Sequence, residues 1–267
     1  MNISVESDPS HARVVSRRAL QSRTSEDGSA PPDTRYRSCY DLSVSPHQRG
    51  KFITLEGLDG CGKSTQLERL ATALRAQKLS VVVTREPGGT ATGEKIRQLL
   101  LDTSTSALAP LAELALMFAS RAQHIKEVIQ PALAEGRIVL CDRFTDSTEA
   151  YQGGGRKLGS EPVLALHHIL CGDLQPDLTI LMDSDVAASV ERARRRNQAR
   201  ISGTGDENRF ERENRAFFGR VRNTYLAIAA REPQRVAVVD ARGTPDETHD
   251  QIMNVVKRRL KLAAKTA

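Results

Sequence analysis

Residues Gly57-Leu58-Asp59-Gly60-Cys61-Gly62-Lys63-Ser64 fit the pattern G-x-x-x-x-G-K-[ST], and they follow directly on the apolar run Lys51–Leu55. No other feature narrows the possible folds as far. Glycines let such a loop turn its backbone N–H groups inward around phosphates, and the helix that follows offers its positive N-terminus. Lys63 is expected on the β- and γ-phosphates of a nucleoside triphosphate, and the Ser64 hydroxyl on Mg²⁺. Gly57, Leu58, Asp59, Gly60, Cys61, Gly62, Lys63, Ser64 and Thr65 are therefore the expected ATP-binding set. The loop alone specifies an NTP-using α/β protein and nothing finer.

The rest of the chain supports a sheet around that loop. Short β-rich runs at Lys51–Leu55, Val81–Thr84, Ile138–Cys141, Leu178–Met182 and Val236–Val239 alternate with helical stretches. The helices are expected at 63–77, 94–101, 111–135, 163–170, 186–199, 211–230 and 246–260. Strands alternating with longer amphipathic helices imply a five-stranded parallel sheet covered on both faces. Ligands on such sheets collect at the carboxyl ends of the strands.

At 267 residues with 39% hydrophobic content, the chain can supply the core of one large domain. No apolar run reaches transmembrane length. The net charge of +6 admits an anionic partner without choosing among nucleic acid, membrane and a small phosphorylated substrate. The four cysteines, at 39, 61, 141 and 171, show no CxxC spacing and read as reduced thiols of a cytoplasmic protein. Residues 1–50 differ: they hold ten serines, no lysine and the breaker run Gly28-Ser29-Ala30-Pro31-Pro32. Seven arginines there suggest a transit peptide, but six acidic residues argue against it, and no apolar stretch supports a secretory signal. The expectation is a disordered extension over 1–49 and a kinase domain over 50–267.

The third strand delivers Asp142 and then Arg143. A P-loop enzyme places a second Mg²⁺-side carboxylate at such a strand end, although strand-end aspartates are also common without function. Arg143 can hold a second phosphate by a bidentate pair facing the first.

Thr84-Arg85-Glu86-Pro87-Gly88-Gly89-Thr90, the Asp142-Arg143-Phe144 step and Ala150-Tyr151-Gln152-Gly153-Gly154-Gly155-Arg156 together resemble bacterial thymidylate kinases. The resemblance extends through Arg121-Ala122-Gln123-His124 and covers residues 50–260. It implies a P-loop nucleoside monophosphate kinase fold with a short lid, and transfer of the γ-phosphate of Mg·ATP to dTMP. It also implies a homodimer, with no nucleic-acid or membrane partner. By the same resemblance, Asp59 receives the sugar 3′-hydroxyl, and Arg97 joins Arg143 on the acceptor phosphate. Arg121 bonds a thymine carbonyl, Thr148 and Tyr151 contact base and sugar, and Gln152 contacts substrate or supports its loop. Where relatives carry a base-stacking aromatic, this chain has Met117, with phenylalanine one step on; Phe118 is the expected stacking residue and Met117 the alternative.

Phosphoryl transfer requires positive charge on the migrating group, and one branch of the family supplies it from the P-loop. Here that place is Gly60, so the charge is expected from a lid at about 192–209. Arg196 is the expected catalytic arginine beside Lys63 and Arg143, with Arg209 in reserve. The histidines need no chemical role. The other readings are a kinase for another pyrimidine nucleotide or deoxynucleoside and, in a different class, a DNA-stimulated P-loop ATPase.

Overall fold

The run Phe52–Glu56 is buried at every position, as expected of a central parallel strand with helices on both faces. In the computed structural model it is β1, the middle of a five-stranded sheet ordered β2-β3-β1-β4-β5. The other strands are β2 (Val81–Arg85), β3 (Ile138–Asp142), β4 (Leu178–Asp183) and β5 (Val236–Asp240). All pairings are parallel, with Leu55 beside Asp142 on one flank and Ile180 on the other. The structure describes residues 49–102, 108–198, 209–210 and 213–260, with only the backbone at 197 and 198. Of the extension expected to be disordered over 1–49, residues 1–48 lie outside the described residues; of the lid expected at about 192–209, residues 199–208 lie outside them and 192–198 is helical. Arg49 pairs with Asp177 at 3.0 Å.

Alternation along β1 sends its side chains to two separate cores. Ile53 and Leu55 pack with Leu67, Leu70 and Leu74 of α1 (Lys63–Ala76) and with Ile252 and Val256 of α9 (Pro245–Leu260). Phe52 turns the other way, toward Leu114 and Phe118 of α3 (Pro110–His124) and Val163 of α6 (Glu161–Cys171). A further cluster joins Leu58 and Tyr151 to Phe217, Phe218 and Tyr225 of α8 (Arg215–Arg231). Burial of these side chains is the main stabilising term, about 1.5–3 kcal/mol for each large one.

Two stretches depart from the sequence reading. The expected helix 111–135 is α3, a π-helical turn at Ile125–Ile129 and α4 (Gln130–Ala134). The segment after β3, which reads as a glycine-rich loop, is helical: α5 (Thr145–Thr148) runs into a π-helical stretch, Glu149–Gly155. Its glycines serve packing. A Cβ at Gly154 would sit 2.0 Å from Thr224 Oγ1, and one at Gly155 would sit 2.5 Å from the Phe217 ring. Glycine thus lets α8 press against this backbone. Helices α2 (Ala91–Leu101) and α7 (Val186–Gln198) complete the frame. Among the described residues no helix is long and apolar enough to cross a membrane.

Candidate active site

The loop after β1 turns through left-handed backbone at Gly60 and Gly62, with φ of 78° and 100°. Lys63, in the first turn of α1, curls back so that Nζ donates to the carbonyls of Gly57 at 3.1 Å and Leu58 at 2.8 Å. Ser64 and Thr65 are exposed beside it, while Leu58 and Cys61 are buried. The Ser64 hydroxyl donates to Asp142 Oδ2 at 3.2 Å. Asp142 Oδ1 is buried and meets no hydrogen-bond donor among the described residues. A hard cation with oxygen ligands fits that pair, completed by water and phosphate oxygens.

Next to the loop lies a cleft of about 560 Å³, part of it open to solvent. It gathers Asp59, Arg97, Arg121, Arg143, Thr148, Tyr151 and Gln152 from four separate stretches of chain. Arg143 is the hub. It stands at φ 73° just past β3, a strained conformation for a non-glycine residue of the kind found at functional sites. One end of its guanidinium donates to Ser147 Oγ at 2.9 Å and Tyr225 OH at 3.1 Å. The other donates to Asp59 Oδ1 at 2.7 Å and Tyr151 OH at 3.2 Å. Tyr151 OH in turn donates to Asp59 Oδ2 at 2.9 Å. Burial opposes ionisation of Asp59, but the charges of Arg143 and Lys63, with bonds from Arg143 and Tyr151, hold its carboxyl well below the usual range.

Behind this hub sits Glu56, the last residue of β1 and fully buried. It accepts from the Phe144 amide at 2.7 Å, Ser147 Oγ at 2.5 Å and Tyr225 OH at 3.1 Å. Burial, with Asp146 nearby, pushes its carboxyl up to about 7. On the opposite wall Arg121 reaches Glu86 and Thr148. Burial raises the Glu86 carboxyl, but the guanidinium and the hydrogen bond from His124 outweigh it and leave it below its ordinary value.

The chain belongs to the thymidylate kinase family. The sequence pattern of the family described as "Thymidylate kinase" matches residues 55–252. The chain is 49% identical to the thymidylate kinase of Geobacter sulfurreducens over 211 residues, 79% of this chain and 98% of that protein. It is 54% identical to that of Pseudomonas syringae pv. tomato over 192 residues, 72% and 88% of the two chains. The crystal structure of thymidylate kinase from Ehrlichia chaffeensis superposes with a TM-score of 0.63 at 32% identity, covering 78% of this chain and 99% of that one.

For a member of the thymidylate kinase family, two placements differ from what the sequence suggested, those of Phe118 and Arg209. Phe118 is 0% exposed and packs in the core beneath the sheet, while Met117 lines the cleft. The face of α3 that carries Phe118 turns to Val139 and Phe144, and Arg121, one turn on, lies 4.8 Å over the Phe118 ring. Arg209 is committed elsewhere: its guanidinium lies 2.6 Å from Glu113 Oε2 and donates to the Leu100 carbonyl at 2.6 Å. Gln152 lines the cleft yet donates to Glu113 Oε1 at 2.8 Å, so it also supports its own segment.

Arg196 is exposed on α7, one turn beyond Arg192, whose Nε donates to the Gly60 carbonyl at 2.8 Å. Glycine is required at that contact, because a Cβ on residue 60 would lie 2.1 Å from the Ser189 carbonyl oxygen of α7. The sequence reading missed Glu56, Glu113, Ser147, Phe210 and Tyr225. A carboxylate closing an apolar strand, as Glu56 does, and one inside the apolar helix run after Pro110, as Glu113 does, were the available signals.

Proposed function

We propose that the P-loop and the adjoining cleft carry the transfer of the γ-phosphate of ATP to dTMP, giving dTDP and ADP. The observation that carries this reading is Asp59, which belongs to the P-loop and also faces Arg143 and Tyr151 across the cleft. One residue thus joins a donor cradle to a pocket with an arginine placed for an acceptor phosphate.

In this reading an oxygen of the dTMP phosphate attacks the γ-phosphorus, and the bond from that phosphorus to the β,γ-bridging oxygen breaks as ADP leaves. The acceptor is already a dianion, so no general base is required; catalysis is positioning and charge neutralisation. Lys63 neutralises the β- and γ-phosphates. Arg143 and Arg97 hold the acceptor phosphate, and Asp59 receives the 3′-hydroxyl. Tyr151 packs under the sugar, and Met117 covers one face of the base. Arg121 and Thr148 face the base edge. Arg196 supplies charge to the migrating group from α7. Ser64 and Asp142 would hold Mg²⁺, which would supply charge neutralisation on the phosphates of ATP.

The buried free thiols of Cys61, Cys141 and Cys171 support a reducing, cytoplasmic setting. Exposed Leu99, Leu111, Leu164 and Ile169 on α2, α3 and α6 support a homodimer through those helices. Light scattering tests the dimer. The test of function is ADP formation with dTMP, dUMP, CMP and thymidine as acceptors. Turnover is expected to be greatest with dTMP, and strong turnover of thymidine without dTMP would overturn the reading.

A further inference from the structure

Arg121 is 2% exposed, and a buried guanidinium needs partners for its N–H groups. Its Nε donates to Glu86 Oε2 at 2.6 Å, and Nη2 donates to Thr148 Oγ1 at 2.8 Å. Nη1 is buried and meets no acceptor among the described residues, although the side chain lines the cleft. Rings on two sides restrict its plane: the guanidinium carbon lies 4.8 Å from the centroid of Phe118 and 5.1 Å from that of Phe144. The group therefore offers a ligand a single unpaired edge in one orientation.

Glu86 is itself held. Its Oε1 lies 2.9 Å from His124 Nδ1, and His124 Nε2 lies 2.6 Å from Thr84 Oγ1. With Glu86 ionised, Nδ1 carries the proton toward it, and Nε2 pairs with the threonine hydroxyl. Thr84 ends on β2 and His124 on α3, so the chain of bonds ties the guanidinium to two rigid elements. Glu86 lines the cleft, whereas Thr84 and His124 stand behind its wall.

We infer that Glu86, oriented by His124 and Thr84, is the positioning residue that sets base specificity, fixing Arg121 so that Nη1 presents only donors to the ring position where thymine and uracil carry a 4-oxo group and cytosine a 4-amino group. The inference rests on the reading of the cleft as the acceptor site. A 4-oxo group accepts from that edge. A 4-amino group sets donor against donor and leaves the buried guanidinium unpaired, a mismatch that discriminates strongly between substrates.

The test compares kcat/KM for dTMP and dCMP in wild type, Glu86→Gln, His124→Leu and His124→Asn, each checked for folding by thermal melting. Glu86→Gln presents an amide where Arg121 or His124 needs an acceptor. It is expected to raise KM for dTMP while leaving KM for ATP unchanged, and to lower the dTMP:dCMP ratio by about 10-fold or more. His124→Leu is expected to lower the ratio in the same direction. In His124→Asn the side-chain amide can take the place of Nδ1 and restore it. If Glu86→Gln does not fold, the His124 pair gives the same decision. An unchanged ratio in the folded variants overturns the inference. Arg121→Met separates the two layers: if it also leaves the ratio unchanged, the base-site reading itself has failed, whereas a lowered ratio there confines the failure to Glu86.

Discussion

Arg143 Nη2 lies 2.7 Å from Asp59 Oδ1, so the guanidinium assigned to the acceptor phosphate is bonded to the carboxylate assigned to the sugar. The pair makes the cleft internally neutral at this point. On that assignment a bound monophosphate would compete with Asp59 for one edge of the guanidinium, while Ser147 and Tyr225 hold the other edge. Arg143→Lys keeps the charge and loses the fork. It should lower kcat/KM for dTMP by about 10²–10³ while leaving KM for ATP nearly unchanged. Steady-state kinetics with each substrate varied in turn checks this, and an equal loss for both substrates would count against the assignment.

Glu56 predicts a pH dependence of stability. Its carboxyl titrates at about 7 in the fold against an ordinary value of 4.5. Between those two values the unfolded chain has released this proton and the folded chain still holds it. The folded state then binds more protons, so this group makes stability fall as pH rises through that window, by on the order of 3 kcal/mol in total. Asp59 acts oppositely: its depressed carboxyl contributes stability above the ordinary range that is lost as pH falls. Urea unfolding at intervals from pH 5 to pH 8 should show a shallower decline in Glu56→Gln than in wild type. Parallel declines would exclude Glu56 as the source.

Glu113 gathers three partners in the core of the site: Gln152 at 2.8 Å, Arg156 at 3.2 Å and Arg209 at 2.6 Å. Removing the carboxylate leaves the buried Arg209 without its counter-charge, while Arg156 keeps Glu213, so Glu113→Leu should cost about 3–5 kcal/mol. Because the residues act as one network, Arg209→Met added to Glu113→Leu should cost much less than Arg209→Met alone. Additive losses in a denaturation series would show that they act separately.

Asp142 and Ser64 predict the metal response. Chelation of divalent ions should abolish ADP formation. Asp142→Asn, which removes the charge of the carboxylate beside Ser64, should raise the Mg²⁺ concentration for half-maximal rate by about 10-fold or more. A Mg²⁺ titration at fixed ATP decides it, and an unshifted midpoint would place the ion elsewhere.

Gly60 and α7 predict where the transition-state charge resides. Arg196→Ala should lower kcat by about 10³ or more with little change in KM for either substrate. Undiminished turnover in that variant, with a loss in Arg192→Ala, would move the role one turn back along α7 to the residue bonded to Gly60. Gly60→Ala should destabilise the fold through its clash with the Ser189 carbonyl.

The sequence by itself determined the frame and the donor site. Each β-rich run lies within one residue of its strand at either end, because period and turn chemistry are local properties of the chain. The P-loop was legible for the same reason: its glycines, lysine and serine do their work within eight consecutive residues. Asp59, Arg97, Arg121, Arg143, Thr148, Tyr151 and Gln152 were named from a family resemblance, and the fold brings all seven to one cleft. What the sequence could not decide was direction. Met117 and Phe118 differ by about 100° on a helix, and only the packing of α3 against β3 turns the phenylalanine inward. The glycines at 153–155 read as a loop until Phe217 and Thr224 of α8 are pressed against them. Glu56, Glu86 and Glu113 are ordinary carboxylates in the sequence, and each acquires its role from partners in other elements of the fold. Local spacing sets which residues share a face; tertiary packing sets what that face meets.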